Sequence, residues 1–168
     1  HTIRDYLRWG MTQYQRASWH YGHGTDNAYD DALGLILHTL ALPIDTPLPV
    51  LDARLTLTER ADVLRVLSMR FEQPLPAPYI TGEAWFAGCA FAVDERVLIP
   101  RSPVAELIAT RCEPWIDGRE PRRILDLCCG SGCIGLSLAH AWGKMGTEVL
   151  LADVSEDALD LARLNASR

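Results

Sequence analysis

The sequence predicts an α/β fold in which a small N-terminal helical domain is followed by a β-hairpin and by the beginning of a parallel, doubly wound sheet. Apolar residues recur at helical spacing through the first part of the chain. Aromatic and β-branched residues then surround Gly88, and the C-terminal part alternates apolar runs with amphipathic segments. These changes of pattern divide the chain into a helical domain (1–78), a hairpin connector (79–103) and a ligand-binding domain (104–168).

Three amphipathic segments predict the helices of the first domain: Thr2 to Ala17, a second that ends near Leu40, and Glu59 to Phe71. Thr25 or Asp26 is the predicted N-cap of the second helix, and Thr58 that of the third. Prolines follow at positions 74, 76 and 78. They predict an extended connector, because proline lacks a backbone donor and disfavours helix at the residue before it.

The remaining elements follow from alternating apolar runs and breakers. Short strands are expected around Gly88, between Ala84 and Ile99, with prolines ending them. We then predict a helix from Pro103 to Trp115, a strand from Arg123 to Cys128, a helix from Gly132 to Trp142, a strand from Thr147 to Val154 and a last helix capped by Ser155. Two parallel strands do not make a stable open sheet, so further strands are expected beyond Arg168.

Composition and charge exclude several classes of protein. The chain has 168 residues, of which 48% are hydrophobic and 23% charged, as in a globular protein. No apolar run approaches the roughly 18 residues of a membrane span, and the N-terminus has no signal-peptide pattern, so a cytoplasmic protein is expected. The net charge of −6 argues against a broad nucleic-acid surface, which needs clustered Lys and Arg.

The five cysteines raise the question of a metal or redox site. Their number is odd and no Cys-x-x-Cys occurs, and no histidine lies near Cys129 and Cys133 to complete a zinc site. His20 and His23 flank Gly22 in a glycine-rich turn, which is more typical of a packed loop than of a metal site. We therefore predict no metal site and no disulfide framework.

A glycine-rich turn follows the first predicted parallel strand in "ILDLCCGSGCIG" (124–135). Gly130-Ser-Gly132-Cys-Ile-Gly135 matches G-x-G-x-x-G, and Asp153 follows about 20 residues later, as in dinucleotide-binding proteins. A nicotinamide-dependent oxidoreductase is therefore one candidate. Asp126 opposes it, because a pyrophosphate needs an approach free of negative charge. A carboxylate there suits a cationic ligand, and S-adenosylmethionine carries a sulfonium and an ammonium group and no phosphate.

Each residue of this turn has an expected role toward such a ligand. The N–H groups of Gly130 and Gly132 can meet the carboxylate of the ligand. Asp126 can accept from its ammonium group or hold the amides of the turn. Asp153 can accept from both ribose hydroxyls, or it can serve only as a helix-capping carboxylate beside Ser155. Cys128, Cys129 and Cys133 are expected to act as small apolar residues where larger ones would not fit.

These motifs resemble the class I methyltransferases that methylate protein glutamine. "LDLCCGSGCI" is similar to their first cofactor motif, and Pro74 to Ile108 ("PLPAPYITGEAWFAGCAFAVDERVLIPRSPVAELI") is similar to their connector. Trp19 to Asn27 and Arg101-Ser-Pro103 resemble the branch that acts on the third large-subunit ribosomal protein. The branch that acts on peptide release factors remains the alternative, and a non-catalytic recognition module is a third possibility.

The resemblance implies a Rossmann-like catalytic domain, S-adenosylmethionine as the cofactor and a ribosomal protein as the partner, with neither nucleic acid nor membrane bound. It implies cofactor contacts from the turn residues Cys128, Cys129, Gly130, Ser131 and Gly132, in addition to Asp126 and Asp153. It also puts Arg101 at the mouth of the cofactor pocket, and a solvated arginine that caps the hairpin is an equal alternative.

The substrate motif of that family, Asn-Pro-Pro-Tyr, does not occur in this chain, so its catalytic residues are unknown. The motif is expected beyond Arg168, and the 168 residues by themselves are expected to be inactive. The N-terminal helices are expected to recognise the protein substrate, with Trp9 and Trp19 serving in the core rather than in the contact.

Overall fold

A computed structural model describes residues 1–17, 27–72, 75–142 and 146–168. Within these ranges the chain forms two compact units, His1–Thr81 and Gly82–Arg168. The predicted α/β class is confirmed, since seven α-helices and two small sheets are present in the described part. The predictions made for Trp19, His20, His23, Thr25 and Asp26 lie outside the described residues.

The first unit is helical, as predicted. Its elements are α1 (Ile3–Ala17), α2 (Ala28–Thr39), a 3-10 helix (Leu48–Asp52), α3 (Leu57–Glu72) and α4 (Ala77–Thr81). The three long helices pack around fully buried side chains such as Tyr14, Leu35 and Leu67. Trp9 is partly buried against this core, in agreement with its predicted packing role.

The N-caps differ from those predicted. Asn27 caps α2, and its side chain accepts from the backbone N–H of Asp30 at 2.9 Å. Thr56 rather than Thr58 caps α3: its hydroxyl accepts from the N–H of Glu59 at 3.3 Å, and the Glu59 carboxylate accepts from the N–H of Thr56 at 2.7 Å. This reciprocal pair satisfies two backbone donors at once, which a cap at Thr58 would not do.

The proline-rich connector also differs from its prediction. Residues Ala77–Thr81 form the short helix α4, although an extended segment was expected there. Pro78 is the second residue of α4 and therefore lies in its first turn, where a backbone N–H has no helical partner and proline is tolerated.

A buried ion pair joins two helices of the first unit. The Nε of Arg70 on α3 lies 2.9 Å from Oδ2 of Asp31 on α2, and the two side chains are 7% and 3% exposed. The Arg70 guanidinium also lies 5.5 Å from the centre of the Tyr14 ring. Burial raises the pKa of Asp31, and the charge of Arg70 opposes that rise. No sequence pattern pointed to this pair.

The second unit begins with the predicted β-hairpin and continues into a parallel pair of strands. Its elements are β1 (Glu83–Phe86), β2 (Cys89–Ala92), α5 (Val104–Ala109), β3 (Arg123–Leu127), α6 (Cys133–Trp142), β4 (Glu148–Ala152) and α7 (Glu156–Ala166). The turn of the hairpin is Ala87-Gly88, with positive φ at both residues (47° and 81°), which suits the right-handed twist of the paired strands.

Helix α5 is shorter than predicted. It ends at Ala109, whereas its periodicity predicted a helix to Trp115. Arg111 and Cys112 have φ values of 52° and 59°, so the backbone turns left-handed and the helix cannot continue.

The strands β3 and β4 are parallel, with Asp126 opposite Leu151, and α6 connects them as expected. Ser155 caps α7 by accepting from the N–H of Ala158 at 3.2 Å, which confirms the predicted cap. Alternate residues of the sheet face outward in this chain: Leu125, Leu127 and Leu150 are 62%, 70% and 48% exposed. No helix in the described part is both long enough and apolar enough to cross a membrane.

Candidate functional site

Two carboxylates meet at the carboxyl edge of the parallel sheet. Asp126 is the second-to-last residue of β3, and Asp153 directly follows β4. Because the two strands are parallel and in register, their carboxyl ends lie side by side. The N–H of Gly130 in the glycine turn donates to Asp153, and that of Gly135 after the turn donates to Asp126, so the structure brings both acids and residues 128–132 to one edge of the sheet.

Asp153 holds the turn in place. Its Oδ2 accepts from the N–H of Gly130 at 2.9 Å, and its Oδ1 accepts from the N–H of Ser155 at 3.0 Å. The N–H groups of Ser155 and Gly130 lower the pKa of Asp153 below its ordinary value, so the side chain is charged near neutral pH. A carboxylate oxygen can accept more than one hydrogen bond, so both oxygens of Asp153 still have capacity for a hydroxyl donor.

Asp126 joins the sheet to helix α6. Its Oδ2 accepts from the N–H of Gly135, in the first turn of α6, at 2.8 Å. Its Oδ1 makes no hydrogen bond to the residues that the structure describes. Burial raises the pKa of Asp126, the Gly135 N–H opposes this, and the charge of Asp153 adds to it. A cationic ligand at this edge would stabilise both carboxylates in their charged form.

The turn between the carboxylates has an unusual backbone. Cys128, Gly130 and Gly132 have φ values of 62°, 54° and 77°. A Cβ on Gly132 would lie 3.1 Å from Leu151 Cδ1, so this glycine permits close packing of the turn on β4. A Cβ on Gly130 would meet nothing within 4 Å, so this glycine faces open space and leaves room for a ligand.

The turn amides are not free in the way that was expected. The N–H of Gly130 donates to Asp153, and the N–H of Gly132 donates to the carbonyl of Cys129 at 2.8 Å. The expectation that these two N–H groups meet a ligand carboxylate stays a prediction: in this conformation both already donate within the protein, so a ligand would have to replace those bonds. What the turn offers a ligand here is open space beside Gly130 and the spare lone pairs of the carboxylates.

The cysteines and the serine of the turn lie in different environments. Cys129 and Cys133 are buried, and burial raises the pKa of both thiols, so they are neutral small side chains, as expected. Cys128 is exposed, so lack of room does not explain a cysteine there. Ser131 is only 2% exposed, so its backbone and its hydroxyl are both buried in this conformation. Among the described residues, no group of three metal-binding side chains occurs.

Arg101 is not drawn into the carboxylate pair. It lies in the segment before α5, it is exposed, and its guanidinium makes no ion pair with any residue in the described ranges. Neither Asp126 nor Asp153 is paired with a cationic side chain in those ranges, so the carboxylate pair is not neutralised by the protein.

Asn165 is a residue of this region that the sequence analysis missed. It is 8% exposed on α7, where its Nδ2 donates to the carbonyl of Ser131 at 2.9 Å. Its signal lay in the periodicity: Ala158, Leu161 and Ala162 form the buried face of α7, and position 165 continues that face with an amide. A polar residue at a core position of an amphipathic helix needs a buried partner.

A strand that leads through a glycine turn into a helix, with acids at the ends of two parallel strands, is typical of nucleotide-binding α/β domains. Residues 113–168 match the family model described as "Methyltransferase small domain", which makes the methyltransferases the class of this domain.

Curated relatives narrow the class to one family. The chain is 46% identical over 171 residues to the ribosomal protein uL3 glutamine methyltransferase of Xanthomonas campestris pv. campestris, covering 100% of this chain and 54% of the relative. The enzyme of that name from Xylella fastidiosa is also 46% identical, over 100% of this chain and 53% of the relative. The one from Neisseria gonorrhoeae is 45% identical over 98% and 54%.

The family predicted from the motifs is thereby confirmed: each of these relatives, to which the chain is similar over 98–100% of its own length, is named a glutamine methyltransferase. The chain spans about half the length of the curated relatives it matches.

Proposed function

We propose that the protein is an S-adenosylmethionine-dependent methyltransferase that modifies the side-chain amide of a glutamine in ribosomal protein uL3. One observation supports this choice of cofactor. Asp126 and Asp153 are two carboxylates beside an open glycine turn, and neither has a cationic partner in the described part. The names of the relatives support uL3 as the substrate.

The residues present fit this cofactor. Asp153 has lone pairs left for the two ribose hydroxyls after accepting from two backbone amides. Oδ1 of Asp126, which makes no hydrogen bond to the described residues, accepts from the ammonium group. The open side of Gly130 admits the ligand backbone, and Cys128, Cys129, Ser131 and Gly132 shape the floor of the turn. When bound, S-adenosylmethionine supplies a methyl group on a positively charged sulfur.

The acceptor is a poor nucleophile, because the lone pair of an amide nitrogen is delocalised into its carbonyl. Transfer forms a nitrogen–carbon bond, breaks the sulfur–carbon bond and releases one proton from the nitrogen. Such a step depends on positioning and electrostatics and needs no covalent intermediate with the protein. The Asn-Pro-Pro-Tyr motif that is implied for this task is proposed to lie beyond Arg168.

The remaining assignments are proposals on the same basis. Residues 1–78 recognise the protein substrate, 79–103 connect, and 104–168 bind the cofactor, with Arg101 at the pocket mouth. Because the partner is a ribosomal protein, we propose a cytoplasmic location, and the acidic charge of −6 gives no reason to expect direct binding of nucleic acid or of a membrane.

A nicotinamide-dependent oxidoreductase is the competing function, and one binding experiment separates the two. Isothermal titration of the protein at its full natural length should show binding of S-adenosylhomocysteine and none of NADH, because two unneutralised carboxylates repel a pyrophosphate. Asp153→Ala should weaken this binding about 10- to 100-fold, the scale of one charge-assisted hydrogen bond.

Asp160→Ala is the matched control, since Asp160 is an exposed acid on α7 that pairs only with Arg163 in the described residues. It should leave the affinity unchanged. NADH binding without S-adenosylhomocysteine binding would refute the proposal.

The substrate branch has its own test. Labelled S-adenosylmethionine, supplied with purified uL3 or with a peptide release factor, should label uL3 and lose that label when the modified glutamine, mapped by mass spectrometry, is changed to alanine. Labelling of the release factor alone would assign the protein to the other branch of the family.

A further inference from the structure

The side chain of Asn165 engages both of its N–H donors and its carbonyl oxygen inside the second unit. Its Nδ2 donates to the carbonyl of Ser131 at 2.9 Å and to the carbonyl of Ala92 at 3.0 Å. Its Oδ1 accepts from the N–H of Ala92 at 2.7 Å. A primary amide has two N–H donors and one carbonyl, so both donors and the carbonyl are engaged.

These three bonds connect three separate elements. Asn165 is on α7, Ala92 ends strand β2 of the hairpin, and Ser131 is in the glycine turn. The pattern at Ala92 imitates the pairing of one strand with another, so the amide of Asn165 acts as one more backbone unit at the end of β2. The hairpin and the turn are therefore held by the same side chain.

The bond to Ser131 acts on the backbone that sets the shape of the glycine turn. The carbonyl of Ser131 and the N–H of Gly132 belong to one rigid peptide plane, so fixing the carbonyl fixes the direction of that N–H. That N–H closes the turn onto Cys129. Gly132 has positive φ and no side chain, and the bond from Asn165 to the Ser131 carbonyl restrains this plane from its other side.

We propose that Asn165 is a positioning residue, which fixes the glycine turn in its binding-competent conformation and couples it to the hairpin. The proposal rests on the proposed cofactor function, because the turn is the segment to which S-adenosylmethionine binds. Without Asn165, the turn samples other orientations, and the cofactor must select the competent fraction, which lowers the apparent affinity.

The test compares Asn165→Asp and Asn165→Ala with Leu161→Ala in the protein at its full natural length. The aspartate keeps the size and the acceptor for the Ala92 N–H but loses both donors. Leu161 is 2% exposed on the same helix, so its truncation lowers stability without removing a hydrogen bond to the turn. Both Asn165 variants should raise the dissociation constant for S-adenosylhomocysteine about 10-fold and raise KM for the cofactor but not for the protein substrate.

Leu161→Ala should leave the affinity within about twofold, although it unfolds at a lower temperature. Unchanged affinity in a folded Asn165 variant, or an equal loss in Leu161→Ala, would overturn the proposal. If the wild type itself does not bind S-adenosylhomocysteine, the proposed function has failed instead.

Hydrogen exchange of the wild type decides the matter even if the variants do not fold. The Ala92 amide bonds to Asn165, whereas the neighbouring Val93 amide bonds to the carbonyl of Gly82 within the hairpin at 3.0 Å. Saturating S-adenosylhomocysteine should slow exchange at Ala92 by about threefold or more, and by less at Val93, because the ligand stabilises the turn that Asn165 holds. Equal slowing at both amides, or slowing at neither, would refute the coupling.

Discussion

Replacing Gly135 by alanine tests whether the third glycine of the G-x-G-x-x-G motif sets the distance between α6 and the sheet. A Cβ at this position would overlap Leu151 Cδ2 and would lie 3.0 Å from both Cβ and Oδ2 of Asp126. The end of the leucine side chain can move. The Cβ of Asp126 is fixed to strand β3, so α6 itself has to shift away from the sheet.

The expected free-energy change is a difference between two effects. Alanine gains up to about 1 kcal/mol over glycine in a helix, and less in the first turn, where Gly135 lies. Overpacking a close contact costs about 1–3 kcal/mol. Because one of the atoms that the Cβ would meet cannot move independently, we expect a net loss of about 1–2 kcal/mol.

Gly34→Ala is the matched control, since Gly34 is also in a helix and a Cβ there would meet nothing within 4 Å. It should gain about 0.5–1 kcal/mol. Urea unfolding of both variants measures the difference. Gly135→Ala should also weaken S-adenosylhomocysteine binding, because shifting α6 moves the N–H that holds Asp126. If Gly135→Ala is as stable as Gly34→Ala and binds as tightly as the wild type, this account of the turn is wrong.

Three further predictions concern single features of the chain. Asp153→Asn should be less stable to urea than the wild type near pH 7. This difference in stability should vanish as the pH falls through the folded-state pKa of Asp153, which lies below the ordinary 3.8, because the protonated acid no longer offers a charged acceptor. A difference that persists in acid would contradict this. Asp31→Ala should lower the free energy of unfolding by about 3–5 kcal/mol, since Arg70 is left buried and unpaired. The double variant Asp31→Leu, Arg70→Met should recover most of that free energy. An equal loss in the single and the double variant would show that the unpaired charge is not the cause. A polypeptide ending at Arg168 should transfer no methyl group to uL3 and should self-associate in size-exclusion chromatography through the exposed leucines of its sheet; turnover equal to that of the full-length protein would place the whole site within these residues.

Local patterns determined most of the elements. Apolar spacing predicted the three long helices, and the breaker at Gly88 predicted the hairpin, because both depend on contacts a few residues apart. The predicted N-caps of α2 and α3 were wrong by one or two positions, since several adjacent residues can cap a helix. For α3, the reciprocal bonds of Thr56 with Glu59 select Thr56. Helix α5 was predicted too long, because periodicity does not report the left-handed residues that end it.

The sequence by itself determined the candidate ligand residues, because the glycines, Asp126 and Asp153 stand at spacings that a strand–turn–helix unit imposes. It indicated the family through the resemblance of its motifs, around the glycine turn and from Pro74 to Ile108. Only the tertiary structure decided how those residues are used. It engaged the amides of Gly130 and Gly132 within the protein, buried Ser131, and brought Asn165 onto the turn from 34 residues away. The physical reason is that a hydrogen bond between residues distant in sequence leaves no local pattern, and only packing of the helices on the sheet brings its two ends together.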